Sequence, residues 1–215
     1  MFLRCRDFNI NLNPHKCVFC VEASQILGFI VSKDGMCIDP LKIEAILALP
    51  APTNVIELQT LQGKAKILRR FVWNYAERTH SFMRFLKKDT PFVWDDFVQH
   101  TFDNLKHALT HAPVLQPPNY AKDYSLYVAA SLSTIGMVLV QTDEHDQEHV
   151  IYYASKSLLD SETRYSHVEK LSLATVIAVQ KFHHYILLHT TIVYADSKTM
   201  YYVLTCQVIG GKYSC

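Results

Sequence analysis

The sequence is poor in the residues that interrupt or loosen a chain. Six Gly and eight Pro in 215 positions are too few for a linker, a collagen-like repeat or a low-complexity tail. No stretch approaches the ~18 to 20 uninterrupted apolar residues of a membrane span. Residues 1–7 already carry Arg4, Arg6 and Asp7, so neither an anchor nor a secretory signal is expected. Six Cys at positions 5, 17, 20, 37, 206 and 215 are too sparse for a disulfide scaffold, and an intracellular, reducing compartment (cytoplasm or nucleus, not secreted) is expected. Cys17 and Cys20 have no second Cys or His pair at finger spacing, so free thiols are expected there and no structural zinc. Charge of one sign is also missing: Lys plus Arg is 21 and Asp plus Glu is 20, leaving +1. Attraction to a polyanion must therefore come from local clustering. What is present is material for a core, with 49% apolar residues, eleven Phe and twelve Tyr.

The pattern changes along the chain. Residues 8–32 alternate as a strand pair, broken at Asn11-Leu12-Asn13-Pro14 and followed by the turn Lys33-Asp34-Gly35. Asp39-Pro40 opens a helix to about Ala48, ended by Pro50 and Pro52. Thr53 or Asn54 caps a second helix with Leu58, Leu61, Ala65 and Leu68 as its apolar stripe, and a third is expected over 77–86. Phe92-Val93-Trp94 reads as a short strand or turn, and Asp95 or Asp96 starts a helix through Leu109, ended near Pro113. Pro117-Pro118 looks like a domain boundary. A three-stranded meander then follows over 124–130, 135–141 and 150–154, a long helix over 162–187, a strand over 190–195, a short helix capped by Asp196-Ser197, and a loop at Gly210-Gly211. Strands, covering helix, strand and helix make an α/β layer rather than a bundle.

Between Leu61 and Thr90, Lys64, Lys66, Arg69, Arg70, Arg78, Arg84, Lys87 and Lys88 stand against Glu77 and Asp89, so 8 − 2 gives a local +6. Such a run is either a solvated helix face or a surface laid along a phosphate backbone.

Several runs, in this order, resemble one family: Leu12-Asn13-Pro14-His15-Lys16-Cys17-Val18-Phe19, Leu27-Gly28-Phe29-Ile30-Val31-Ser32, Glu57-Leu58-Gln59, Arg69-Arg70-Phe71, Phe92-Val93-Trp94, Ala112-Pro113-Val114-Leu115 and Tyr152-Tyr153-Ala154-Ser155. Together they are similar to the reverse transcriptase to ribonuclease H segment of gypsy-class LTR retrotransposon polyproteins. Arg164-Tyr165-Ser166-x-x-Glu169-Lys170 looks most like plant elements. The resemblance implies a fold class of α+β to α/β: a palm-end β-hairpin and a helical thumb/connection, followed by a truncated ribonuclease H-like mixed sheet with flanking helices. It implies domains at 1–38 (end of the palm, with Leu27, Gly28 and Phe29 as a primer-grip-like hairpin), 39–117 (thumb/connection) and 118–215 (ribonuclease H-like). No Tyr-x-Asp-Asp turn occurs, so the polymerase carboxylates are not in this chain.

Active relatives in that family hold two Mg²⁺ ions with a cage of acidic side chains. Carried over residue by residue, the first carboxylate position is Ala129, the helix position is Leu171, and only Asp196 is retained. Glu169 stands two residues before the vacated helix position, about 200° around the helix, and is a poor replacement. No resident metal or cofactor is therefore expected. The resemblance implies that the chain leans away from catalysis and acts as a pseudoenzyme that positions and tethers RNA:DNA hybrid. Lys64, Lys66, Arg69 and Arg70 are the backbone-contact candidates, and other parts of the parent polyprotein are possible partners. Two alternatives stay open: an active ribonuclease H that recruits other ligands, and a host-adopted protein interaction module whose basic run is merely solvated.

Overall fold

The computed structural model describes residues 2–15, 17–87 and 90–197. The expected last short helix and the loop at Gly210-Gly211 lie outside the described residues. The chain begins with a helix that the sequence did not announce, α1 (Phe2–Asp7). A small antiparallel sheet follows, of β1 (Ala23–Ile26), β2 (Phe29–Ser32) and β3 (Gly35–Ile38) in that order.

The expected strand pair over 8–32 is not what forms: the described residues 8–15 and 17–22 contain no strand, and the run from Ile26 to Val31 folds back on itself. Leu27 (φ +54°) and Gly28 (φ +83°) occupy the left-handed region at the corner, the backbone that a two-residue hairpin turn with right-handed strand twist requires. The edge of β3 is tied down by Met36, whose N–H and carbonyl both bond to Leu115, at 2.7 and 2.9 Å.

The helices obey their caps. The Asp39 side chain accepts from Leu41 N to start α2 (Pro40–Leu47), and Asn54 accepts from Glu57 N to start α3 (Val55–Leu68). Asp95 accepts from Val98 N to start α5 (Asp96–Thr110). The stripe Leu58, Leu61, Ala65 and Leu68 is buried as expected. The single helix expected over 77–86 is instead α4 (Tyr75–Arg78) and a 3₁₀ segment, His80–Leu86, broken at Thr79. The Thr79 hydroxyl bonds to the Tyr75 carbonyl, and Phe82 and Phe85, three apart and both buried, sit over one another in a three-residue turn. They join Phe92, Trp94 and Phe102 in one aromatic stack. Phe92-Val93-Trp94 is therefore no strand but an irregular segment held by ring packing.

The second half has the expected meander, β4 (Tyr124–Ala130), β5 (Thr134–Thr142) and β6 (Glu148–Ser157), then α6 (His167–Ile186) and β7 (Thr191–Ala195). Strand order is β6-β5-β4-β7, with β7 parallel to β4 and the other pairs antiparallel. The long helix starts at His167 rather than 162, because Ser166 and Glu169 form a capping box and residues 162–164 make a separate 3₁₀ turn. Two apolar clusters result: one among α2, α3, α5 and the aromatic stack, the other between α6 and the sheet. Val150 and Tyr153 of β6 pack against the first cluster from the opposite sheet face. Among the described residues no helix is long and apolar enough to cross a membrane.

Candidate functional site

Strand alternation decides what each face of the large sheet can do. Tyr124, Leu126 and Val128 are buried toward α6, so Tyr127 and Ala129 point to the other face. There they line a cavity of about 490 Å³ together with Trp73, Asn74, Tyr194 and Asp196. Its floor is open because the pair across the ladder from one another, Ala129 and Gly136, is small. Tyr127 and Tyr194 are register partners and stack at 4.8 Å with planes 15° apart. The Tyr127 hydroxyl donates to Glu148, and that bond and the neighbouring negative charge push the phenol up to about 12.

Of the three positions carried over from the ribonuclease family, Ala129 and Asp196 thus share one cavity wall. Leu171 does not line it. Its side chain is 0% exposed within the cluster under α6. Glu169 is engaged elsewhere, accepting from Ser166 N and Oγ at the helix start. Among the described residues no three His, Cys, Asp or Glu side chains converge as metal ligands.

The basic run divides in two. Arg84 pairs with Asp95 at 2.6 Å, Lys87 lies 3.9 Å from Asp160, and Arg78 donates to the Trp73 carbonyl while its guanidinium lies 5.7 Å over the Trp73 ring. Lys88 lies outside the described residues. Lys64, Lys66, Arg69 and Arg70 take part in none of the ion pairs seen among the described residues. Their surroundings differ. Lys64 lines a cavity of about 110 Å³ with Leu27, Gly28 and Lys42, so it joins the hairpin corner, where Leu27 is 87% exposed. Phe29 turns inward and packs on Phe71 at 5.4 Å. Lys66 projects from the exposed side of α3.

Arg69 and Arg70 begin the 3₁₀ turn after α3. The Arg70 guanidinium lies 4.6 Å over the Tyr152 ring, and the Lys181 ammonium lies 5.2 Å from the same ring. Sequence reasoning missed Tyr152 and Lys181, since β6 and α6 deliver them from far along the chain and neither sits in a charged run.

Residues 94–193 match the model of an RNase H-like domain found in reverse transcriptase. The chain is 31% identical over 214 residues to the retrovirus-related Pol polyprotein from transposon 297 of Drosophila melanogaster, covering 99% of this chain and 20% of that protein. It is 30% identical over 197 residues to the Pol polyprotein from transposon gypsy of the same fly, covering 86% and 19%. It therefore spans about a fifth of the length of these curated relatives. Among solved structures it superposes on the foamy viral protease-reverse transcriptase in complex with RNA/DNA hybrid, with a TM-score of 0.72 at 21% identity over 85% of this chain and 25% of that one. The foamy viral enzyme in complex with dsDNA gives 0.73 at 20% identity over 89% and 40%. The chain thus carries an RNase H-like domain of the kind found in reverse transcriptase, and is a homologue of gypsy-type transposon and retroviral Pol polyproteins.

Proposed function

We propose that this segment of a Pol polyprotein holds RNA:DNA hybrid without cleaving it. Magnesium is a hard ion that accepts oxygen ligands, and two-metal hydrolysis needs several carboxylates to hold the pair. The methyl group of Ala129 and the isobutyl group of Leu171 offer none, and Asp196 is left as one exposed carboxylate on the cavity wall. The residues present do not fit a pair of Mg²⁺ ions. That observation carries the reading. A hydrocarbon core around Leu171, which is 0% exposed, also leaves no room for a substitute anion at that point.

Holding is supported by the cations that remain without a carboxylate partner in the ion pairs of the described residues: Lys64, Lys66, Arg69 and Arg70. They would bind phosphates, giving affinity without sequence readout. In this reading residues 1–38 are the end of a palm with Leu27, Gly28 and Phe29 at its primer-grip-like corner. Residues 39–117 are a thumb/connection, and residues 118–215 are the ribonuclease H-like tether. The foamy viral structures in complex with RNA/DNA hybrid and dsDNA support a nucleic-acid partner.

The test has two arms. Incubating the chain with labelled hybrid and Mg²⁺ or Mn²⁺ is expected to leave the RNA strand intact; cleavage that disappears in Asp196→Asn refutes the inactive reading. Hybrid affinity is expected to fall steeply with salt and to be mostly lost when Arg69 and Arg70 are both reversed to Glu. Binding indifferent to salt and to the double reversal refutes the holding role.

A further inference from the structure

Arg70 is half-buried, yet its donors are poorly spent. One guanidinium nitrogen reaches only the Met36 thioether, at 3.7 Å, a weak acceptor. Its other partner is Tyr152, whose ring the guanidinium covers at 4.6 Å. Burial raises the Tyr152 phenol. The Arg70 guanidinium beside it and the charges of Lys181 and Arg69 more than offset that and hold it below the ordinary phenol value. Two cations from distant parts of the chain, Arg70 and Lys181, therefore converge on one ring. Neither Arg69, Arg70 nor Lys181 appears in an ion pair of the described residues.

Beside Arg70 is a cavity of about 140 Å³, lined by Arg70, Tyr152, Tyr185, Gln116 and Ser32 and otherwise mainly by apolar residues such as Leu115 and Ile151. Lys181 stands outside this lining, 5.2 Å from the Tyr152 ring. It lies where the first sheet, the linker after α5, β6 and α6 meet. An arginine fork at the cavity wall and an ammonium on the adjoining Tyr152 ring suit a planar or tetrahedral oxyanion. Free rotation of the ammonium adds a charge without demanding one geometry.

We infer that Arg70, Tyr152 and Lys181 form one phosphate-binding site at this junction, whose ligand is a phosphodiester of a nucleic-acid strand. It rests on the proposed holding role, and adds to it two residues of the ribonuclease H-like part. A strand gripped here is held by both halves of the chain at once, so the site sets the register between them.

The experiment uses the full chain and two ligands. Inorganic pyrophosphate is titrated while the tyrosine ring resonances are followed by NMR, with Tyr152→Phe to assign the relevant one. The Tyr152 signals are expected to move saturably. The double variant Arg70→Gln/Lys181→Gln is expected to need about tenfold more pyrophosphate, while Arg6→Gln, on the exposed helix α1, titrates like the unaltered chain. Signals that stay fixed, or that move equally in the double variant, overturn the inference. If the double variant does not fold, Lys181→Gln alone replaces it, with a threefold or greater weakening expected and none overturning.

RNA:DNA hybrid is then bound over a salt series. Lys181→Gln is expected to lower the slope of log affinity against log salt by about one. An unchanged slope and affinity overturn the assignment to the strand backbone. Should pyrophosphate saturate the site while the unaltered chain retains no hybrid, the anion site stands and the holding role falls.

Discussion

The Ser131 hydroxyl donates to the Glu77 carboxylate at 3.0 Å, joining α4 to the loop after β4 across 54 residues of sequence. The Thr134 hydroxyl donates to the same oxygen, and from the residue just before Glu77 the Ala76 N–H donates to Ser155 Oγ at 2.9 Å. The two apolar clusters are therefore joined by polar bonds as well as by the Val150 and Tyr153 packing. Hydrogen bonds to a charged acceptor contribute about 1.5–3 kcal/mol when well shielded. Ser131 and Glu77 are exposed, so less is expected here. Glu77→Ala is expected to cost about 1 kcal/mol in urea unfolding, with faster amide exchange at residues 131–134. In a double-mutant cycle with Ser131→Ala, additive effects would show that the bond contributes nothing.

Two glycines in the first sheet should respond differently to Ala. At Gly35 (φ +131°) an added Cβ would lie 2.4 Å from the Leu115 carbonyl oxygen, a backbone atom that cannot step aside without breaking the Met36–Leu115 pair. At Gly28 (φ +83°) the nearest atom, 2.6 Å away, is Cε of the flexible Lys42 side chain. Gly28→Ala is expected to cost about 1 kcal/mol through backbone strain alone. Gly35→Ala should cost more, and should also raise proteolysis after residue 113. Equal thermal shifts for the two variants would contradict this ranking.

Leu171 is fully enclosed within the cluster under α6. Leu171→Ala is expected to lower stability by about 2–5 kcal/mol, the range for a buried Leu truncated in a close-packed core. A loss below 1 kcal/mol would mean the position is not enclosed, and would weaken the case that hydrocarbon has replaced a ligand there.

Asp143 offers a pH test at the β5–β6 turn. Its carboxylate accepts from His149 Nε2 at 2.8 Å and from the backbone N–H groups of Gln147 and His145, which hold its pKa down at about 2 against a usual 3.8. The folded value is depressed, so the stabilisation is present above 3.8 and is lost as pH falls through about 2. A carboxyl ¹³C titration should find that midpoint near 2, and His149→Ala should raise it. A midpoint near 3.8 in the unaltered chain would show that the bonds do not form.

How far the sequence reveals the fold depends on whether the signal is local. Asp39, Asn54 and Asp95 each precede a helix and each accepts a backbone N–H there, because a cap needs only neighbours within three residues. Residues 124–130 alternate cleanly, and β4 has those bounds. The misses arise where a choice is settled at a distance or by one dihedral. The Leu27-Gly28 corner lies inside an apolar run, and the break at Thr79 needs the aromatic stack to favour a tighter turn. The 162–187 run hides its cap, since Ser166 and Glu169 are two ordinary polar residues among several. At the candidate site, Ala129, Leu171 and Asp196 emerge only from resemblance, while Arg69 and Arg70 stand out as charge. The meeting of Arg70 with Tyr152 and Lys181 is invisible until β6 and α6 are packed.

The bond pair between Met36 and Leu115 also fixes an order of events as the chain leaves the ribosome. Strand β3 emerges with one rim bare, and its partner is made 79 residues later (115 − 36). Until then the nascent sheet is an open template for stray pairing. Slow decoding between these points would lengthen that exposure, whereas rapid passage to residue 115 seals the rim.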